Sequence, residues 1–147
     1  MPSSRPTLEP RQLTTAMLLA KVCGAWRQQV ERTLRRVKLH VGQDYALLHL
    51  WEQGPQSQTE LIENLGCKPA TITRMLQRME RDQLIHRERD KEDARVTQVS
   101  LTGRGHQLEE PVRGLWLEID KQLLKGLNSE ERATFRQLLM RVLSNVR

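Results

Sequence analysis

The sequence predicts a mainly α-helical chain interrupted once by a small β-hairpin, and three observations carry that reading. Apolar residues recur at spacings of three and four along most of the chain. The period changes to strict alternation in one short region near its middle. Capping residues and helix breakers (Gly42, Gly54-Pro55, Ser57, Gly66, Thr102, Asn128) fall between the periodic segments.

The first segment runs from about Gln12 to Lys38, with Leu19, Cys23, Trp26, Val30, Leu34 and Val37 on one helical face. Arg27, Arg32, Arg35 and Arg36 occupy the other side. Such a helix is too long for one small core, so part of its apolar face is expected to meet another subunit. Asp44 to Glu52 reads as a second helix with Tyr45, Leu47, Leu48, Leu50 and Trp51 mostly inward, and Gly54-Pro55 stops it. Ser57-Gln58-Thr59-Glu60 is a capping-box pattern that opens a short helix with Leu61, Ile62 and Leu65 inward. Gly66 closes that helix, and Lys68-Pro69 opens the next, with Ile72, Met75, Leu76 and Met79 at helical spacing. Leu84 to Arg89 and Val96 to Leu101 read as two strands joined by the charged turn 90–95. Thr102 caps a helix reaching about Leu123, which Pro111 is expected to kink or split. Asn128-Ser129-Glu130-Glu131 caps a last helix with Phe135, Leu138, Leu139 and Val142 on its apolar side.

The net charge is +6, with 37% hydrophobic and 29% charged residues, an ordinary folded balance that favours polyanionic partners: nucleic acid first, an anionic membrane surface second. No apolar run is long enough to span a membrane, and the polar start, Met1 to Pro10, lacks the apolar core of a signal peptide, so a cytoplasmic protein is expected. The two cysteines lack CxxC spacing and the four histidines are scattered, which gives no disulfide framework, metal site or cofactor. No glycine-rich phosphate loop, nucleophile elbow or catalytic acid pair is present, and no enzymatic activity is predicted.

Two short helices joined by a tight Gly-Cys-Lys turn and followed by a charged hairpin give the order of a winged helix-turn-helix, whose second helix lies in the major groove. With Ile72, Met75, Leu76 and Met79 inward, that helix presents Pro69, Ala70, Thr71, Thr73, Arg74, Gln77 and Arg78 outward. The small residues at its start let the backbone approach DNA. Arg74 suits a guanine edge and Gln77 an adenine. From Lys68 to Arg81 there are four basic residues against one acid, Glu80. In the hairpin turn, Asp93 is placed to hold the guanidinium of Arg95, and a wing-tip arginine suits the narrow minor groove.

The stretch from Ser57 to Thr102 resembles the MarR (multiple antibiotic resistance regulator) family, in SQTELIENLG, in KPATITRMLQRMERDQLI, and in the frame made by Asp93, Arg95, Leu101 and Thr102. The flanking helices extend the likeness over nearly the whole chain. The resemblance implies a DNA-binding transcriptional regulator, commonly a repressor: a homodimer on a pseudo-palindromic double-stranded DNA site, released by a small, often phenolic, aromatic effector. It divides the chain into an N-terminal arm and dimerisation helix (1–40), a winged DNA-binding domain (41–102) and C-terminal dimerisation helices (103–147). It also implies that Thr71, Thr73 and Arg74 read bases, that Ser57, Thr59 and Arg78 hold phosphates, and that Arg95 enters the minor groove. Two positions depart from the family. Gln83 stands where a glycine is usual and is expected to be left-handed, at a cost to a non-glycine residue. Ala94 stands where a second arginine is common, and one groove or phosphate contact is expected to be lost there.

Organic-peroxide sensors of this family carry a reactive cysteine in the first helix, which makes Cys23 a candidate for redox sensing. Its place on an apolar face reads more simply as a small core residue. Cys67 lies near the positive end of the reading helix and reads as a turn residue, although its oxidation would disturb DNA binding. Trp26, Trp51 and Trp116 are candidates for an effector pocket, against a plainer reading as core. The rival functions are a winged-helix module that docks on protein, a thiol-based regulator, and an architectural DNA binder without an effector. Arg74, Arg78 and Arg95 argue against the protein-docking module, which usually loses the basic face.

Overall fold

The computed structural model describes residues 9–146, so most of the polar N-terminal arm, residues 1–8, lies outside the described residues. After a 3-10 turn at Pro10–Gln12, α1 spans Thr15–Leu34 and a second 3-10 turn, Arg35–Val37, finishes it. There follow α2 (Gln43–Gln53), β1 (Gln56–Ser57), α3 (Gln58–Leu65), α4 (Pro69–Arg81), β2 (Ile85–Arg89), β3 (Thr97–Leu101), α5 (Gly103–Gln107), α6 (Glu109–Leu123) and α7 (Ser129–Asn145).

The element starts follow from their caps. The Ser57 and Asn128 side chains accept the N3 amides of Glu60 and Glu131, and each glutamate reaches back to its cap residue, completing two capping boxes. Thr102 Oγ1 accepts the Gly105 amide at 3.0 Å and donates to the Gln83 carbonyl at 2.6 Å, tying the start of α5 to the start of the wing. Pro111 splits its segment: α5 ends at Gln107, and the proline sits in the first turn of α6, where its missing amide costs nothing. Gln83 is left-handed, with φ +58°, as its place demands, and Lys38 shares that conformation at φ +60°.

The wing is larger than a hairpin. β2 and β3 pair antiparallel from Ile85↔Leu101 to Arg89↔Thr97, and β1 adds Gln56↔Val99 and Ser57↔Gln98 on the far edge, giving the order β1-β3-β2. Two residues carry no alternation, so nothing in the sequence marks β1. This third strand fixes α3 against the wing.

One core fills the middle of the chain, built from Leu34, Leu39, Leu47, Leu50, Leu61, Leu76, Met79, Ile85, Val99, Val112 and Ile119. Burying each such side chain contributes about 1.5–3 kcal/mol. Gly105 is required where α5 crosses the wing, because a Cβ there would collide with the Leu84 carbonyl oxygen.

Two expectations are corrected by burial, and the last helix is left uncovered. Tyr45 and Leu48 are exposed, because α2 is covered on one side only and these two lie on the other. Cys23 is exposed and not core, because α1 enters the core only at its last turns, through Val30, Thr33 and Leu34. Phe135 is half-buried, while Leu138, Leu139 and Val142 are exposed; none of the described residues of α7 is buried.

Candidate nucleic-acid interface

The α3–turn–α4 unit places α4, the helix expected to enter the groove. Gly66 ends α3 in the left-handed region, the chain turns through Cys67, and Pro69 enters α4 at its first position. Ile72, Leu76 and Met79 bury one stripe of α4. Lys68, Pro69, Ala70, Thr71, Arg74, Gln77 and Arg78 are exposed together on the opposite side. Thr73 departs from its expected outward position. It flanks the buried stripe, is half-buried, and its Oγ1 accepts from Gln58 Nε2 at 3.4 Å. Thr59 is exposed on α3, whereas Ser57 is occupied by its cap: its hydroxyl donates to Glu60 Oε2 at 2.8 Å, so a phosphate would have to displace that glutamate.

Glu80, the one acid between Lys68 and Arg81, is neutralised. Arg87 on β2 donates to Glu80 Oε2 from Nε at 3.0 Å and Nη2 at 2.8 Å, and its Nη1 reaches Gln58 Oε1 at 3.3 Å. One half-buried arginine therefore joins wing, reading helix and α3, and leaves the basic face of α4 uninterrupted. This cluster escaped the sequence reading because its members lie on three elements. Its only local signal is a polar residue on the inner side of a strand.

Asp90 shapes the wing turn: its Oδ1 accepts the amides of Glu92 and Asp93, and those bonds hold its carboxyl below the usual range. Asp93 then accepts Arg95 Nε at 3.1 Å and Nη2 at 3.2 Å, with the Arg95 amide at 3.0 Å. The Arg95 guanidinium, and after it the Arg95 amide, hold the Asp93 carboxyl below the usual range. The arginine side chain is 91% exposed, so it projects from the wing tip and is oriented from behind.

Arg78 turns away from the helix start. Its Nη2 lies 2.6 Å from His40 Nε2, and His40 Nδ1 lies 2.8 Å from Glu31 Oε1. Arg78 is a donor only, so it fixes the His40 proton on Nδ1, facing Glu31. The Val41 amide bonded to Glu31, together with His40 and Arg35, lowers the Glu31 carboxyl despite some burial.

A separate cavity of about 590 Å³ is lined by Asp44, Tyr45 and Trp51 of α2, Arg113 and Trp116 of α6, and Arg136 of α7. Trp51 is thus at the cavity, but Trp26 is not part of its lining; it backs Trp116 with ring centroids 6.3 Å apart. Asp44 is buried, accepts from the Gly42 amide and Trp116 Nε1, and its carboxyl is raised by burial. Arg113 pairs with Glu52 and with Glu109. Both cysteines are exposed, and neither thiol makes a hydrogen bond among the described residues. No helix among the described residues is long and apolar enough to cross a membrane.

Comparison with known proteins places this geometry. The MarR family model matches residues 43–97, from α2 into the wing. The chain is 33% identical over 128 residues to the HTH-type transcriptional repressor IacR of Pseudomonas putida, covering 87% of this chain and 77% of that protein. It is also 33% identical over 111 residues to the organic hydroperoxide resistance transcriptional regulator of Bacillus subtilis, covering 74% and 76% of the two chains. A probable transcriptional regulator from Pseudomonas aeruginosa superposes with a TM-score of 0.81 at 28% identity, over 90% of this chain and 98% of that one. The order of helices and strands is therefore shared with known regulators, and the chain belongs to the MarR family of transcriptional regulators.

Proposed function

We propose that this chain acts as a homodimeric repressor on a pseudo-palindromic duplex and is released by a small aromatic effector. The observation that carries the reading is a pair of exposed arginines: Arg74 on α4, and Arg95 at the wing tip, oriented by Asp93. In this reading residues 41–102 form the DNA-binding unit. Thr71, Arg74 and Gln77 meet base edges, Pro69 and Ala70 allow close approach, and Lys68 and Thr59 hold phosphates. Arg95 enters the minor groove. Repression is supported by the relative named as a repressor.

The cavity between α2 and α6 supports the effector. Its volume suits a small ligand, and its lining combines Tyr45, Trp51 and Trp116 with apolar Leu48, Val112 and Leu117. An occupant touching both α2 and α6 would bias the winged unit against the flanking helices. The test is selection of bound duplexes from a random library. A pseudo-palindrome bound with log affinity falling steeply against log salt is expected; enrichment of no sequence overturns the reading.

A further inference from the structure

A second cavity, of about 290 Å³, lies where the end of α1 meets the end of α4, away from the aromatic one. Arg35, Lys38, His40, Arg78 and Arg104 line it, against the single acid Asp82. Glu31 stands behind His40 and Arg35 and is already committed to them. Asp82 approaches Arg78 only at 4.0 Å. Among the described residues, neither Lys38 nor Arg104 has a salt-bridge partner. Cations that converge on one concavity without matching acids repel one another, and an anion placed among them relieves that repulsion.

We propose that this cavity is an oxyanion site that takes a phosphate group. Arg35, Lys38, Arg78 and Arg104 supply the donors. His40 is a positioning residue: held by Glu31, it presents Nε2 to Arg78 and aims that guanidinium at the cavity. The lining carries cations and no Phe, Tyr or Trp, which favours a compact oxyanion over an aromatic molecule. The site joins the long helix to the reading helix, so its occupant fixes the angle between them.

A phosphate can come from the DNA backbone, in which case the proposal rests on the DNA-binding reading above, or from a free phosphate-bearing metabolite, in which case it does not. The test compares the full chain with its Lys38→Gln/Arg104→Gln variant, first confirming equal circular dichroism and equal Tm in chloride. Calorimetric titration with inorganic phosphate at constant ionic strength reads the free anion, and salt titration on the selected duplex reads the backbone. A loss of phosphate affinity of tenfold or more assigns the site to a free anion. A fall of about one in the salt slope assigns it to a DNA phosphate. Both changes together mean that the two compete for one site. Unchanged phosphate binding with an unchanged slope overturns the proposal. If the wild type selects no duplex, the DNA-binding reading fails, and the calorimetric arm alone decides the site.

Discussion

At Gln83 the backbone closes α4 with φ +58°, and the amides of Gln83 and Leu84 bond back to Glu80 and Met79. The turn needs a left-handed residue, which costs a side chain about 1–2 kcal/mol, while glycine's extra freedom in the unfolded chain returns part of that. Gln83→Gly should therefore stabilise the fold by about 0.5–1 kcal/mol, raising Tm by about 2–4 °C in thermal unfolding. A lower Tm would mean that the Gln83 side chain holds a contact worth more than the strain. This position was legible in the sequence because one residue's conformation is set locally. Burial was not legible in the same way. Asp44 looks like an ordinary acid in a helix's first turn, yet the fold lays Trp116, seventy-two positions away, across it.

The reading helix and the wing depend on each other through Arg87. Its bonds to Glu80 and Gln58 keep the acid of α4 neutral and brace the wing against α3. Arg87→Ala should cost about 1 kcal/mol of stability, since the pair is only partly buried, but should weaken duplex binding more, because Glu80 then faces phosphates unpaired. Adding Glu80→Gln should restore part of the affinity, and a double-mutant cycle should show about 0.5–1.5 kcal/mol of coupling. Additive effects would reduce Arg87 to ordinary packing. The helices on either side were legible from periodicity and caps: Ser57 with Glu60, and Asn128 with Glu131, mark their starts within a residue. β1 and the Arg87 cluster were not, since a two-residue strand has no period and a contact across three elements has no fixed spacing.

Across the whole molecule, the apolar faces of the first and last helices lack a cover. Met17, Leu18, Leu19 and Val22 on α1, and Leu138, Leu139, Met140, Val142 and Leu143 on α7, are all exposed. Apolar surface on this scale marks an association site. A second copy of the chain would explain it. Sedimentation equilibrium should then find a dimer at micromolar concentration, and Leu139→Glu should shift it to monomer without unfolding the winged unit; a monomeric wild type contradicts this. The sequence marked α7 and the first helix as amphipathic, but a periodic pattern states only that a face is apolar. It does not state whether the chain's own core or a neighbour covers it, and Cys23 on the uncovered part of α1 was misplaced for that reason.

The claim that Arg74 reads sequence from an exposed position on α4 is tested most directly by measuring wild type and Arg74→Ala against the selected duplex and its full set of single-base substitutions. Arg74→Ala should lose about 1–3 kcal/mol on the selected duplex and lose discrimination at one base pair per half-site, leaving the other positions unchanged. An equal loss on every duplex, with the pattern of discrimination intact, would contradict the account and make Arg74 a phosphate contact.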